Sequence, residues 1–297
     1  MSGAADERLA RLLRGLSLLP DKPEETAAST LAALRHAAAG APLSAERALG
    51  VPPPPLDADA ERQLDALIER RLAGVPLAHL TGRQAFLGLE LLAEPAALVP
   101  RRETELLGRA AVALAGELAA SSPAPITVID VCTGSGNLAV AVAAAVPSAR
   151  VFGGDLSAAA IDLARRNAER LGLAARVAFR DGDLLEPFDA PEFLDAVDLL
   201  LCNPPYISSA KVAQMDDEIA AHEPRLAFDG GPLGVNLLMR LLQEAPRYLR
   251  MGGWLGFEVG LGQGPAMVRR LRAGPYAEVR ELANASGALR ALLARRR

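Results

Sequence analysis

Cysteine and histidine are scarce in this chain of 297 residues, which holds two of the first and three of the second. Cys132 and Cys202 stand far apart, and His36, His79 and His222 share no ligand spacing with them or with one another. Neither a disulfide framework nor a structural metal is expected from such a pattern. Long apolar runs are also missing. Charge or glycine interrupts each one before it reaches the roughly eighteen residues a membrane-spanning helix needs. The start, MSGAADERLARLL, carries acids where a signal peptide would need a basic start and an apolar run, so the expected location is the cytoplasm. Basic excess is absent too: 32 Lys and Arg against 36 Asp and Glu give a net charge of −4. The one dense basic run, Arg295 to Arg297, reads as a solvated tail. A protein that tracks phosphates needs a basic face, so no direct nucleic-acid partner is expected.

What is present is enough apolar material, 51% of residues, for one large domain and a smaller one. From Arg8 to about Arg71 the chain is Ala/Leu-rich and helical, with breaks at LPDKPEE around Pro20 and at GVPPPPLDAD around Pro52 to Pro55. Ser44 opens SAERALG as a partial cap, because Arg47 stands where a capping box prefers Glu or Gln. Asp59 to Leu72 predicts an amphipathic helix with Leu64, Leu67, Ile68 and Leu72 on its core-facing stripe. Gly82 to Pro100 shortens its period and reads as a hairpin. Beyond a helix from about Glu103, apolar strand-like runs and helices alternate through ITVIDVC, AVAVAAAV, RVFGGDL, AAIDLARRNAERLG, RVAFRDGD, AVDLLLCN, VNLLMRLLQEAPRYL and GGWLGFEVG. Alternation of this kind predicts an α/β domain with a parallel sheet, whose ligands bind beyond the carboxyl ends of the strands.

Two of those strand ends carry unusual chemistry. ITVID runs into Cys132-Thr133-Gly134-Ser135-Gly136 and then a helix, and glycines there let backbone approach a ligand and aim helix N-terminal N–H groups at it. A tight strand-to-helix turn would use glycine with no ligand present. The next strand, RVFGGD, favours the ligand, since it ends at Asp155, about twenty residues on, where an acid in nucleotide-binding α/β folds accepts ribose hydroxyls. Both a dinucleotide and S-adenosylmethionine satisfy these features. The second strand end is DLLLCNPPYISSAKV, where four apolar residues stop on Asn203-Pro204-Pro205-Tyr206. Two prolines supply no backbone donors and fix φ, so they end the strand in a stiff turn that presents Asn203 and Tyr206.

The turn separates the two cofactors. DVCTGSGNLAV, GGDLSAAAIDLARRNA and LLLCNPPYI resemble, in order and approximate spacing, the S-adenosylmethionine-dependent amino-methyltransferases. FLGLELLAEPAALVPRRETELL, with its Pro-Arg-x-Glu-Thr-Glu signature, HEPRLAFDGG and GGWLGFEVGLGQG are similar to one branch, the release-factor glutamine methyltransferases. With the helical N-terminus the resemblance covers nearly the whole chain. It implies a Rossmann-like class I methyltransferase domain over residues 102–297, with a mostly parallel seven-stranded sheet. Before it would come a helical substrate-docking domain over 1–80 and a β-hairpin linker over 81–101. It implies S-adenosylmethionine as cofactor, held at Cys132, Thr133, Gly134, Ser135 and Gly136, with Asp155 on the adenosine ribose, Asp183 and Leu184 at the adenine end, and Asn203 touching cofactor and substrate alike. Asn203, Pro204, Pro205 and Tyr206 would bind the acceptor amide, with Arg101, Glu103 and Thr104 of the signature beside them. Catalysis would fall to Asn203, Pro204 and Tyr206, and no metal is implied. The protein partner would be a peptide-chain release factor methylated on the glutamine of its Gly-Gly-Gln loop, and the enzyme a monomer.

An amide NH2 is a poor nucleophile because its lone pair is delocalised. The Asn203 side-chain oxygen and the Pro204 carbonyl can accept its two protons and aim the lone pair at the methyl donor, while Tyr206 packs on the planar amide. Three departures from the family leave the acceptor open: Cys132 stands where glycine is usual, Leu184 where some relatives have an aromatic residue, and GGPLGVNLL replaces a commonly acidic stretch. Another amide or amine is one alternative. An adenine-N6 nucleic-acid methyltransferase is a second, although it would need the basic surface that is lacking here. A non-catalytic binding module, its loop spoiled by Cys132, is a third, which cofactor binding would separate.

Overall fold

The computed structural model describes residues 2–16, 21–212, 222–232 and 234–297; the break expected at Pro20 lies outside them. The chain divides into two units, each with its own core.

The first unit runs to Pro95 and also takes Val99–Arg102, His222 and Glu223. Its helices are α1 (Ser2–Gly15), α2 (Ala27–Ala38), α3 (Ala45–Ala48), α4 (Ala58–Leu72) and α5 (Leu77–Thr81). Thr26 and Asp57 start α2 and α4 by accepting backbone N–H groups of the first turn, the Asp57 carboxylate taking those of Asp59 and Ala60. On α4 the expected stripe is found in Leu64, Leu67 and Ile68, all buried, but Leu72 is only half-buried. Arg71 takes the inner position instead, because Glu25 is buried opposite it at 3.1 Å. The partial cap expected of Ser44 does not form. Ser44 stands at the start of α3, yet its N–H and hydroxyl both donate to the buried Glu90 carboxylate, at 2.6 and 2.7 Å. Glu90 lies on β2 (Leu89–Leu92), which pairs antiparallel with β1 (Arg83–Phe86). The hairpin turns through Leu87 and Gly88, both at positive φ, the two-residue turn that suits antiparallel strands.

The second unit comprises Ala96–Leu98 and the rest of the chain from Glu103. After α6 (Thr104–Ser121) come β3 (Thr127–Val131), α7 (Asn137–Ala145), β4 (Arg150–Asp155), α8 (Ala158–Arg170), β5 (Val177–Asp181) and β6 (Val197–Cys202). β7 (Leu249–Glu258) follows the helix Asn236–Tyr248, and β8 (Tyr276–Ala283) and β9 (Leu289–Arg296) follow the helix Gly264–Ala273. The seven strands lie in the order β5-β4-β3-β6-β7-β9-β8. β5 to β7 pair parallel, and β9 enters antiparallel to both its neighbours. This is the class I methyltransferase sheet. The solvated tail expected at Arg295 to Arg297 is therefore a correction: Arg295 and Arg296 belong to β9, whose residues 290–294 are buried. Arg296 bonds the Leu249 carbonyl and Asp195, and the Arg295 guanidinium lies 6.0 Å from the Trp254 ring centre. Long stems that cover apolar surface explain how a charge run sits in a sheet.

β6 is buried along its whole length, and Phe152, Phe188 and Phe193 meet edge-on beside it in the core. Connections leave β3 in one direction toward β4 and β5 and return on the other side at β6. The strand order therefore reverses between β3 and β6, where a crevice opens beyond their carboxyl ends. No helix among the described residues is long and apolar enough to cross a membrane.

Candidate active site

The loop after β3 lies on one side of this crevice. Cys132, Gly134 and Gly136 all have positive φ, at 55°, 54° and 81°. Gly136 permits the loop to close on α8, because a Cβ there would stand 3.0 Å from Ala164 and from the Phe179 ring. Main-chain bonds fix the loop: Thr133 N–H donates to the Gly154 carbonyl at 3.0 Å, and Gly136 N–H to that of Thr133 at 2.8 Å. The Asn167 side chain donates to the Ser135 carbonyl at 2.9 Å. Asp155, at the end of β4, accepts from Gly134 N–H on one oxygen and from Ser157 N–H on the other, each at 2.9 Å. Burial raises its pKa against these bonds, and Leu156 N–H adds a third. A carboxylate has about four acceptor positions, so Asp155 keeps capacity for a ligand hydroxyl while it braces the loop.

Below the loop lies a residue with no sequence signal beyond its place in an apolar strand. Asp130 of β3 is wholly buried and accepts the Thr133 hydroxyl at 2.5 Å. Burial pushes its pKa up to about 7. Thr133 thus turns its hydroxyl inward to the strand. The Ser135 hydroxyl is buried with no partner among the described residues.

The turn Asn203–Tyr206 leaves β6 on the other side. The strands carrying the two cysteines are neighbours: Val131 pairs with Cys202, and both cysteines are free. Burial raises the Cys202 thiol pKa well above its ordinary value, and Cys132 adds to it. Asn203 Nδ2 donates to Thr104 Oγ1 at 3.1 Å. Its Oδ1 and the Pro204 carbonyl have no hydrogen-bond partner among the described residues. Tyr206 is anchored twice: its carbonyl accepts Gln263 Nε2 at 3.0 Å, and its hydroxyl accepts Arg290 at 3.4 Å, with the guanidinium 5.9 Å from the ring centre. Arg290 also binds the Glu103 carboxylate, so Glu103, at the cap position of α6, makes no capping bond.

Phe228, Gly230 and Gly234 of the glycine-rich segment pack directly beneath the turn. Ile207 N–H donates to the Phe228 carbonyl at 3.0 Å and Gly230 N–H to that of Ile207 at 2.8 Å. A Cβ on Gly230 would lie 2.5 Å from the Pro205 carbonyl oxygen, and one on Gly234 would lie 2.3 Å from that of Tyr206. Gln263 Nε2 ties Gly234 to the same point, at 3.1 Å. Gly260 to Gly264, which follow β7, supply that glutamine.

Asp183 is half-exposed and ion-paired with Arg240 at 2.9 Å, while Leu184, at φ 54°, buries its side chain in the core. Arg101 belongs to the first unit, where it pairs with Glu223 at 2.5 Å and Asp21 at 3.4 Å. Four residues at the turn escaped sequence reasoning: Glu258, Gln263, Arg290 and Gly234. Glu258 offered the clearest signal, an acid at the end of the apolar strand GGWLGFE. Among the described residues no group of three His, Cys, Asp or Glu could hold a metal ion.

Comparison with known proteins agrees with this geometry. Residues 124–255 match the methyltransferase domain model, and residues 43–82 match that of the PrmC N-terminal domain. Solved structures with the same fold include a human methyltransferase 10 domain containing protein, 16% identical with a TM-score of 0.50, covering 70% of this chain and 88% of that one. The hMettl16 catalytic domain in complex with MAT2A 3′UTR hairpin 6 is likewise 16% identical, with a TM-score of 0.51 over 70% of this chain and 75% of that one. Curated relatives are nearer. The release factor glutamine methyltransferase of Moorella thermoacetica is 40% identical over 231 residues, 77% of this chain and 78% of its own. That of Geobacter sulfurreducens is 40% identical over 209 residues, 70% of this chain and 69% of its own. Likeness at that level over most of the chain, with the loop and turn in place, means that the chain belongs to the release factor glutamine methyltransferase family.

Proposed function

We infer that this enzyme transfers a methyl group from S-adenosylmethionine to the side-chain nitrogen of a glutamine in a peptide-chain release factor, at the Gly-Gly-Gln loop. The observation that carries the reading is the state of the turn. Asn203 Nδ2 is tied to Thr104 while Asn203 Oδ1 and the Pro204 carbonyl stay unpaired. Two adjacent acceptors on a rigid turn match the two N–H groups of a primary amide.

The residues of the β3 side fit the cofactor. Positive-φ glycines bring main chain to the crevice, and Asp155 has remaining acceptor capacity for a ribose hydroxyl. When bound, S-adenosylmethionine supplies an electrophilic methyl group. The chain's own residues do the rest. Asn203 and Pro204 take the amide protons and orient the nitrogen lone pair, and both acceptors gain strength as positive charge develops on that nitrogen. Tyr206, fixed by Gln263 and Arg290, offers its ring to the flat amide. The proton lost after transfer goes to water, so no strong base is needed.

A glutamine at the tip of a glycine-flanked loop can enter such a crevice where a flat protein surface cannot. The N-terminal unit is then a second docking surface for a large partner. Incubating the full-length enzyme with labelled cofactor and intact release factor, then mapping the label by mass spectrometry, tests the reading. Label on the Gly-Gly-Gln glutamine is the expected result. Label on a different residue, or on nucleic acid supplied in parallel, overturns it.

A further inference from the structure

Glu258 is the group at this site that the mechanism above leaves unused. It ends β7 with its carboxyl buried, and among the described residues one of its oxygens has no hydrogen-bond partner. The other side of the carboxyl faces the Thr104 hydroxyl, which favours its ionised form. Thr104 is itself buried and is the residue to which Asn203 Nδ2 is tied at 3.1 Å. Asn203, Thr104 and Glu258 therefore stand in one line from the acceptor turn to the interior.

A line of this kind has a direction. A threonine hydroxyl has one proton to give, and an ionised carboxylate can only accept. With Glu258 taking that proton, Thr104 Oγ1 has only lone pairs left to offer Asn203. The asparagine must then turn its NH2 inward and its Oδ1 toward the crevice. Without the carboxylate, the Thr104 proton is free to donate to Asn203 Oδ1, which rotates the amide and presents two donors to a substrate that is itself a donor.

We propose that Glu258 is a positioning residue for methyl transfer, which acts through Thr104 to hold Asn203 with its oxygen toward the acceptor amide. The proposal rests on the functional reading above and deepens it at the same site. Arg290 of β9 faces Glu258 and favours its ionised form, Glu103 at the start of α6 opposes it, and the Cys202 thiol of β6 lies on its remaining side. Burial outweighs Arg290 and pushes the carboxyl pKa up to about 7, so ionisation and orientation change together near neutral pH.

The test compares Glu258→Gln, Thr104→Val, the two together, and Thr104→Ser, in single-turnover methylation of a release factor, with cofactor affinity and melting temperature measured on each. Glu258→Gln is expected to slow transfer about tenfold, with cofactor affinity within about twofold and no loss of melting temperature, since an uncharged isostere relieves the burial of a carboxylate. Thr104→Val should slow it at least as much, and Thr104→Ser, which keeps the hydroxyl, should restore most of the rate. The double variant should be no slower than Thr104→Val alone, because both changes cut one line. The wild-type rate should rise through pH 7, and that rise should be missing from Glu258→Gln. Full activity in Glu258→Gln, or losses that multiply in the double variant, overturns the proposal while the wild-type enzyme still labels its glutamine. A wild-type enzyme that labels no glutamine overturns the functional reading instead.

Discussion

The loop Cys132–Gly136 is held mostly through its own backbone groups, by partners no more than 32 positions away, whereas the turn Asn203–Tyr206 is held by side chains brought from farther along the chain. Asp155 reaches the loop across 21 positions, and its partner there is a backbone group, the Gly134 N–H. Thr104 reaches the turn across 99 positions, Arg290 across 84 and Gln263 across 57, all through side chains. The two sides also differ in tolerance. A loop fixed through its main chain accepts a side chain as unusual as Cys132 at positive φ. A turn fixed by side chains and by two glycines, on which an added Cβ would fall within 2.5 Å of its carbonyl oxygens, has no such freedom.

The sharpest way to break that contrast is to crowd the turn. Gly234→Ala would set a Cβ 2.3 Å from the Tyr206 carbonyl oxygen, at φ +67°. A displacement of about 1 Å at a reacting group costs about 100-fold, so single-turnover methylation should fall at least that far with cofactor affinity largely kept. Gly262→Ala, also at positive φ but with open space beside it, is the control and should retain most of the rate.

Each side also buries one carboxyl, Asp130 below the loop and Glu258 below the turn, and both are pushed up to about 7. A pKa raised on folding means that the folded state holds the proton longer. The stability this brings is complete below the unfolded value, about 4 for either group, and is lost as pH rises through 7. Between pH 5 and pH 8 the loss is on the order of 3 kcal/mol per group, so denaturant unfolding at those two values should show a falling trend. Asp130→Asn and Glu258→Gln should each remove part of it. An unchanged trend in both would mean that neither carboxyl is buried as described.

Next in size is Asp155→Ala, which removes a charged acceptor from the cofactor side alone. Cofactor affinity should weaken by roughly 1.5–3 kcal/mol in titration calorimetry. Unchanged affinity would discard the ribose assignment. The smallest effect belongs to Cys132→Gly. Relief of a left-handed non-glycine backbone is worth about 1–2 kcal/mol, and the greater freedom of an unfolded glycine takes back most of that. Stability should therefore move by less than about 1 kcal/mol, and a larger fall would show that the Cys132 thiol packs more than it strains.

The same contrast explains what sequence reasoning reached. The alternation of strands and helices, the hairpin, the glycine loop with Asp155 and the turn at Asn203 are contiguous signals, and the structure displays each of them. Thr104 was read as part of a signature, yet its place under Asn203 follows only from α6 and β6 packing together. Glu258, Gln263 and Arg290 act through a sheet neighbour or a following turn, and nothing adjacent to them in sequence names the partner. Arg295 and Arg296 were misread for a related reason. Charge at the end of LRALLARR looks like a tail until pairing sets Arg295, still exposed, opposite Trp254 on β7.

Asn203→Ala puts the division of labour across the crevice to its most direct test, with cofactor dissociation constant and single-turnover rate measured on one preparation. The account predicts affinity within about threefold of wild type and a rate reduced at least about 100-fold, since the proposed bonds matter while the amide nitrogen is attacked. A near wild-type rate, or affinity and rate falling by the same factor, would contradict it.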